Sequence, residues 1–122
     1  MKKLFSLTLL FLFALTTTYA QDVAKEAKAA KKLINSYALS KDAAKLDKAK
    51  EAIMMLFKND AANSNFDALI AKGDLYAALA GEDTDARLTA TIGGGDGKYE
   101  SKNPGSSLEA VRAYIKAIDV AE

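Results

Sequence analysis

Asp67 and Asp74 stand seven residues apart, a spacing that puts both carboxylates on one face of a helix. Such a pair does acid–base work only where a cleft raises the pKa of one member, and the neighbouring residues give no sign of one. A solvated helix face is the expected setting. Gly97-Lys98 invites a phosphate-loop reading, but the pattern requires Gly where Ile92 stands and a hydroxyl amino acid where Tyr99 stands. Glu82, Asp83 and Asp85 invite a calcium reading. Counted from Asp83, the fifth and sixth places of such a loop are Arg87 and Leu88, where an oxygen ligand and a Gly are needed. The chain has no His and no Cys, which removes the imidazole base, the thiol nucleophile and the usual zinc and copper ligands. No catalytic residue, cofactor or metal site is expected, and an enzyme acting through carboxylates alone is the weakest reading.

The chain of 122 residues is long enough for one small domain. Residues 1–20 read as a secretory signal peptide. Lys2 and Lys3 precede an apolar run from Leu4 to Leu15, and Thr18-Tyr19-Ala20 offers small residues at the −3 and −1 positions. The twelve residues of this mostly apolar run span only about 18 Å as a helix, short of a hydrocarbon core of about 30 Å. Cleavage before Gln21 is predicted, leaving a domain over 21–122 with no stable membrane anchor. With no Cys available for lipidation, the product is expected to be exported, and periplasmic or secreted. Losing Lys2 and Lys3 leaves 15 basic residues against 16 acidic ones, a near-neutral balance that argues against a nucleic-acid partner. The charge is uneven: residues 22–58 hold nine Lys against five acids, and residues 59–122 hold six basic residues against eleven acids.

Ala supplies 22 of the residues from 21 onward, and Pro104 is the only proline, a composition that strongly favours helix. Apolar spacing predicts four amphipathic helices. The first runs from Asp22 to Leu39 through Val23, Ala27, Ala30, Ile34, Tyr37 and Ala38. The second runs from Lys41 to Lys58 through Leu46, Ala49, Ile53, Leu56 and Phe57, with Ser40 or Asp42 as its cap. The third runs from Phe66 to Ala80 through Leu69, Ile70, Gly73, Tyr76 and Ala77, opened by a Ser64/Asp67 capping box and stopped at Gly81. The fourth starts at a Ser106/Glu109 capping box and runs to the end through Leu108, Val111, Tyr114, Ile115 and Ile118. Residues 81–107 hold six of the seven glycines and the proline. They read as a flexible insertion, with Arg87 to Ile92 as a short candidate strand.

These residues resemble a tetratricopeptide repeat (TPR), a helix-turn-helix unit of about 34 residues. Leu69, Gly73 and Tyr76 in LIAKGDLYAALA stand at the spacing of its first helix, and Ala110, Tyr114 and Ala117 in SLEAVRAYIKAIDVAE at that of its second. Ala49, Ile53 and Leu56, with Tyr37 before them, form a weaker earlier copy. Small residues at Gly73, Ala110 and Ala117 let helices approach closely, with Tyr76 and Tyr114 beside them. The chain departs from the pattern in the long segment 81–107, in Ile34 where a Gly is usual, and in having no closing Pro. It supplies about two units where solenoids generally need three or more. The reading therefore expects either a longer array, of which this is the front portion, or a last helix that docks on another molecule. The resemblance implies an all-α fold of two stacked antiparallel helical hairpins; a generic Ala-rich four-helix bundle is the competing architecture.

In TPR arrays the first helices of successive units line a concave groove for a peptide. The resemblance places Lys28, Lys31, Asn35 and Ala38 there from the first unit, and Asp67, Ile70, Asp74 and Ala77 from the second. Lys31 with Asn35 is similar to the opening pair of a carboxylate clamp, but Ala71 stands where that clamp expects Asn, so no clamp is inferred. The expected function is an exported protein–protein interaction module that presents a helical groove or stacks into a larger repeat assembly. Its partner is a protein or peptide, and self-association through the C-terminal helix is one form this takes. The alternative is a periplasmic helical bundle that binds a small ligand between its helices.

Overall fold

The computed structural model describes residues 22–94 and 98–122. The signal-peptide reading falls on residues 1–20 and lies outside the described residues. Among the described residues every regular element is helical: α1 over 22–40, α2 over Ala43–Leu56, a 3₁₀ turn over Asp60–Ser64, α3 over Phe66–Ile92 and α4 over Ser106–Ala121.

Each boundary has a local cause. After Ser40 the backbone of Lys41 turns left-handed at φ 55° and its N–H donates to the Tyr37 carbonyl at 2.7 Å, which ends α1. Asp42 then caps α2 by accepting from the Ala44 N–H at 3.0 Å. Asn59 caps the 3₁₀ turn by accepting from Ala61, and Asn65 caps α3 by accepting from Ala68, both at 3.0 Å. Asn65 thus takes the place expected of Ser64, which closes the 3₁₀ turn. At α4 the expected capping box is absent. Gly105, left-handed at φ 81°, precedes the helix with no side-chain cap. Ser106 instead donates its hydroxyl to the Asn103 carbonyl, and Glu109 accepts from Arg112.

The expected stop at Gly81 and the strand over 87–92 are both corrected. α3 runs 27 residues to Ile92, so only 93–105 of the expected insertion separates it from α4. Gly81 faces open space and is tolerated, at a cost of about 1 kcal/mol relative to Ala. Beyond it, Ala86, Leu88 and Ala90 favour helix. Thr84, Thr89 and Thr91 donate their hydroxyls to carbonyls four residues back, at 2.8–2.9 Å. Gly93 and Gly94 supply the stop, the latter at φ 75°.

One apolar core joins Val23, Ala27, Ala30, Ile34 and Tyr37 of α1 to Leu46, Ala49, Ile53 and Leu56 of α2, to Ala62, and to Ala68, Ala71, Leu75 and Leu79 of α3. The periodicity of α1 and α2 identifies their buried faces, with Ala38 exposed and Phe57 half-buried. On α3 the outcome is different: Leu75 and Leu79 are buried, while Phe66 and Ala77 are exposed. α1 runs parallel to α3, since Lys31 meets Asp74 and Lys41 meets Asp85. α4 runs antiparallel to α3, with Lys116 near Asn63, Tyr114 against Gly73 and Asn103 bonded to Asp83.

The seating of α4 corrects the expected apolar stripe. Ala110, Ala113 and Ala117 are buried, while Leu108, Val111, Ile115 and Ile118 are exposed. Gly73 of α3 makes room for the Tyr114 ring of α4, with which a β-carbon there would collide. The small Ala110, Ala113 and Ala117 fill the rest of the buried side of α4.

Candidate functional site

The groove residues implied by the repeat resemblance are partly brought together. Asp74 follows Gly73 on α3, so the Tyr114 ring that fills the glycine's place reaches it, and the Tyr114 hydroxyl donates to Asp74 Oδ1 at 2.7 Å. Lys31 of α1 approaches the other oxygen at 3.7 Å. The three side chains link α1, α3 and α4 across one surface. Partial burial, then the hydrogen bond to Asp74 and its charge, push the Tyr114 phenol up to about 12. Lys31 and Asp74 remain half-exposed, so the ion pair itself contributes about 0–1 kcal/mol.

The other predicted residues do not converge on that point. Lys28 lies with Lys25 and Lys32 around Ala24 and Ala29, in a shallow depression on the outward face of α1. Asn35, Asp67 and Ala77 are exposed, and Ile70 is half-buried.

A second polar centre lies where the sequence reading expected flexible loop. Asp83 on α3 accepts from the Tyr99 hydroxyl at 2.9 Å, from the Ser101 hydroxyl, and from the backbone N–H groups of Lys102 at 3.2 Å and Asn103 at 3.1 Å. These bonds, Ser101 first, hold its carboxyl below the usual range. Tyr99 is shifted upward by desolvation and then by its bond to Asp83. The carboxylate thereby ties the chain entering α4 back onto α3. Beside it opens a cavity of about 410 Å³ lined in part by Asp83, Thr84, Arg87, Ser101, Asn103 and Ser107. Near the end of α1, Lys41 lies 5.6 Å from the Tyr37 ring centre and 3.8 Å from Asp85. Desolvation, then the charges of Glu82 and Asp85, raise the Tyr37 phenol.

The outward face of α4 exposes large apolar side chains side by side. Leu108, Val111, Ile115 and Ile118 are 54, 52, 55 and 58 % exposed and stand in one row along the helix. Single exposed apolar residues are ordinary; a contiguous row marks a place where something else packs. Sequence periodicity identified the row but assigned it no outward direction, whereas the repeat-like spacing had marked Ala110 and Ala117 on the opposite face as close-approach positions.

Among the described residues no group of three or more His, Cys, Asp or Glu is placed to hold a metal ion, and no helix is long and apolar enough to cross a membrane. No family model, curated protein or solved structure matches the chain.

Proposed function

We propose that this chain is an exported protein–protein interaction module of TPR-like build, which works by seating a further helical element on α4. The observation that carries the reading is the row Leu108, Val111, Ile115 and Ile118, four large apolar side chains more than half exposed on a helix whose inward face is alanine. Covering them removes apolar surface from water, worth about 25 cal/mol per Å², with no rearrangement of the helices beneath. The parallel α1 and α3 support the stacked-hairpin part of the proposal. Their step is longer than that of a standard repeat: Lys31 to Asp74 is 43 positions and Lys41 to Asp85 is 44, against about 34. The 3₁₀ turn between α2 and α3 accounts for part of the excess.

Within this proposal the surface around Lys28, Lys31, Asn35, Asp67, Ile70, Asp74 and Ala77 is a secondary, mixed-charge contact, the first helices lining it as in a TPR groove. A photo-cross-linking residue at Val111 and another at Asn35, introduced in the source cell, test the two surfaces. The proposal expects a discrete protein adduct at Val111 and, if the groove is used, one at Asn35 that charge reversal at Lys31 and Asp74 abolishes. No adduct at either position contradicts the proposal. Export rests on residues 1–20, and the intact mass of the cellular product tests it. A chain beginning at Gln21 supports export, and one that retains Met1 contradicts it.

A further inference from the structure

The cavity beside Asp83 has a chemistry set by which of its hydrogen-bonding groups are already used. The Asp83 carboxylate accepts from the Tyr99 and Ser101 hydroxyls and from the backbone N–H groups of Lys102 and Asn103, which fills the sites its two oxygens offer. Thr84 gives its hydroxyl hydrogen to the Ala80 carbonyl, and Ser106 gives its own to the Asn103 carbonyl. The neighbouring acids are turned elsewhere. Glu82 and Asp85 act on the Tyr37 phenol of α1, and Asp85 meets Lys41 there. Glu109 accepts from Arg112. Among the described residues, three side chains that line the cavity have no partner: the Arg87 guanidinium, the Asn103 amide and the Ser107 hydroxyl. What the cavity has left to offer is therefore a set of donors and one uncompensated positive charge.

We infer that this cavity binds a small molecule by an oxyanion group, a carboxylate or a phosphate, held by Arg87 together with Asn103 and Ser107. The guanidinium presents its N–H donors as a planar fork that matches two oxygens of either group. The amide and the hydroxyl supply further donors from the opposite wall, on the segment that enters α4. The volume of about 410 Å³ falls within the range of small-molecule clefts, about 300–1,000 Å³. Ala80 and Leu108 line the same space and give an apolar wall to the rest of the molecule. Arg87 and Ser107 are exposed and Asn103 is half-buried, so a ligand enters from solvent without any helix moving. The same exposure keeps the contacts partly hydrated, and the dissociation constant is on the order of millimolar. Binding here is separate from the proposed interaction role, which concerns the outward face of α4.

Titration of backbone amide chemical shifts with sodium phosphate and, separately, with sodium butyrate tests this, the ionic strength being held constant with chloride. Saturable shifts are expected at Thr84, Arg87, Asn103 and Ser107. Arg87→Gln, a change at an exposed position, is expected to weaken binding about tenfold or more while leaving the unfolding temperature unchanged. Lys28→Gln removes a positive charge from α1 and is expected to leave binding at the wild-type level. Tighter binding of butyrate assigns a carboxylate with an aliphatic tail, and tighter binding of phosphate assigns a phosphate group; either supports the site. No saturation by either probe up to about 50 mM, well above a millimolar constant, overturns it. So do shifts that chloride alone reproduces, binding that survives Arg87→Gln undiminished, or equal weakening in Arg87→Gln and Lys28→Gln.

Discussion

α1 and α4 bound the described helices at opposite ends of the chain, and they solve the problem of having two faces in opposite ways. α1 turns Val23, Ile34 and Tyr37 inward along with Ala27 and Ala30 and leaves Lys25, Lys28 and Lys32 in water. α4 turns the small Ser106, Ala110, Ala113 and Ala117 inward, with Tyr114 half-buried beside them, and leaves Leu108, Val111, Ile115 and Ile118 in water. A polar outer face of the first kind is ordinary for a solvated helix, whereas a row of large apolar side chains of the second kind is left unpacked among the described residues. Burying alanine against α3 yields little hydrophobic gain per residue. α4 is held instead by close approach at Gly73, by the bond from Tyr114 to Asp74, and by the Asp83 tie to the segment entering it. The two ends differ in what anchors them as well as in what they show to solvent.

Core truncation should produce the largest effect. Ile34→Ala, at a position 6 % exposed in the shared core, is expected to cost about 2–5 kcal/mol in denaturant unfolding. Ile115→Ala, the same chemistry on the outward face of α4, is expected to fall within about 0.5 kcal/mol at low concentration. Comparable costs would break the contrast between the two helices. On the inward face of α4 the direction reverses, since adding bulk is what harms. Ala117→Leu, at a position with no exposed surface, is expected to cost about 1–3 kcal/mol by forcing α4 off α3. Gly73→Ala should act likewise by displacing the Tyr114 ring.

How much of this was legible in the sequence follows from what each face is made of. Val23, Ile34, Tyr37, Leu46 and Ile53 recur at helical spacing against charged neighbours, so the cores of α1 and α2 could be read directly. In α4 the same rule selected the exposed row, because hydrophobic periodicity presumes that the larger apolar side chains face inward. Which face of α4 turns inward depends on what α3 offers it, here the room at Gly73 that admits the Tyr114 ring, and that is a property of the pair of helices. The pairing of Gly73 with Tyr114 was prefigured by the repeat-like spacing, since both residues fall on its marked positions. The continuation of α3 through Gly81 was hidden by glycine's usual role as a stop. With it was hidden Asp83, which gathers Tyr99, Ser101, Lys102 and Asn103 from 16 to 20 positions away.

Smaller, pH-dependent effects sharpen the account of what holds α4. Tyr114 is pushed up to about 12 in the folded protein, above its ordinary value near 10. The folded state therefore holds this proton more tightly, so the stabilisation is complete below about pH 10 and is lost as pH rises from there toward 12. Tyr114→Phe should flatten that alkaline limb of the stability curve. Asp83 is shifted the other way. Its contribution is present above the ordinary carboxylate range and is lost as pH falls through its lowered value. Asp83→Asn should remove that part of the acid dependence and speed amide exchange at Lys102 and Asn103, leaving exchange within α1 unchanged. The smallest effect is expected at the half-exposed ion pair, where Lys31→Ala should cost less than about 1 kcal/mol.

The absence of native cysteine opens a direct test of the orientation of α4. Single cysteines placed in turn at 110, 111, 113, 115, 117 and 118 can be timed for thiol labelling in dilute, folded protein. The account predicts fast labelling at Val111, Ile115 and Ile118 and strong protection at Ala110, Ala113 and Ala117. Protection at Val111, Ile115 and Ile118 with fast labelling at the alanines would mean that α4 packs on its large apolar face. That result would contradict the account.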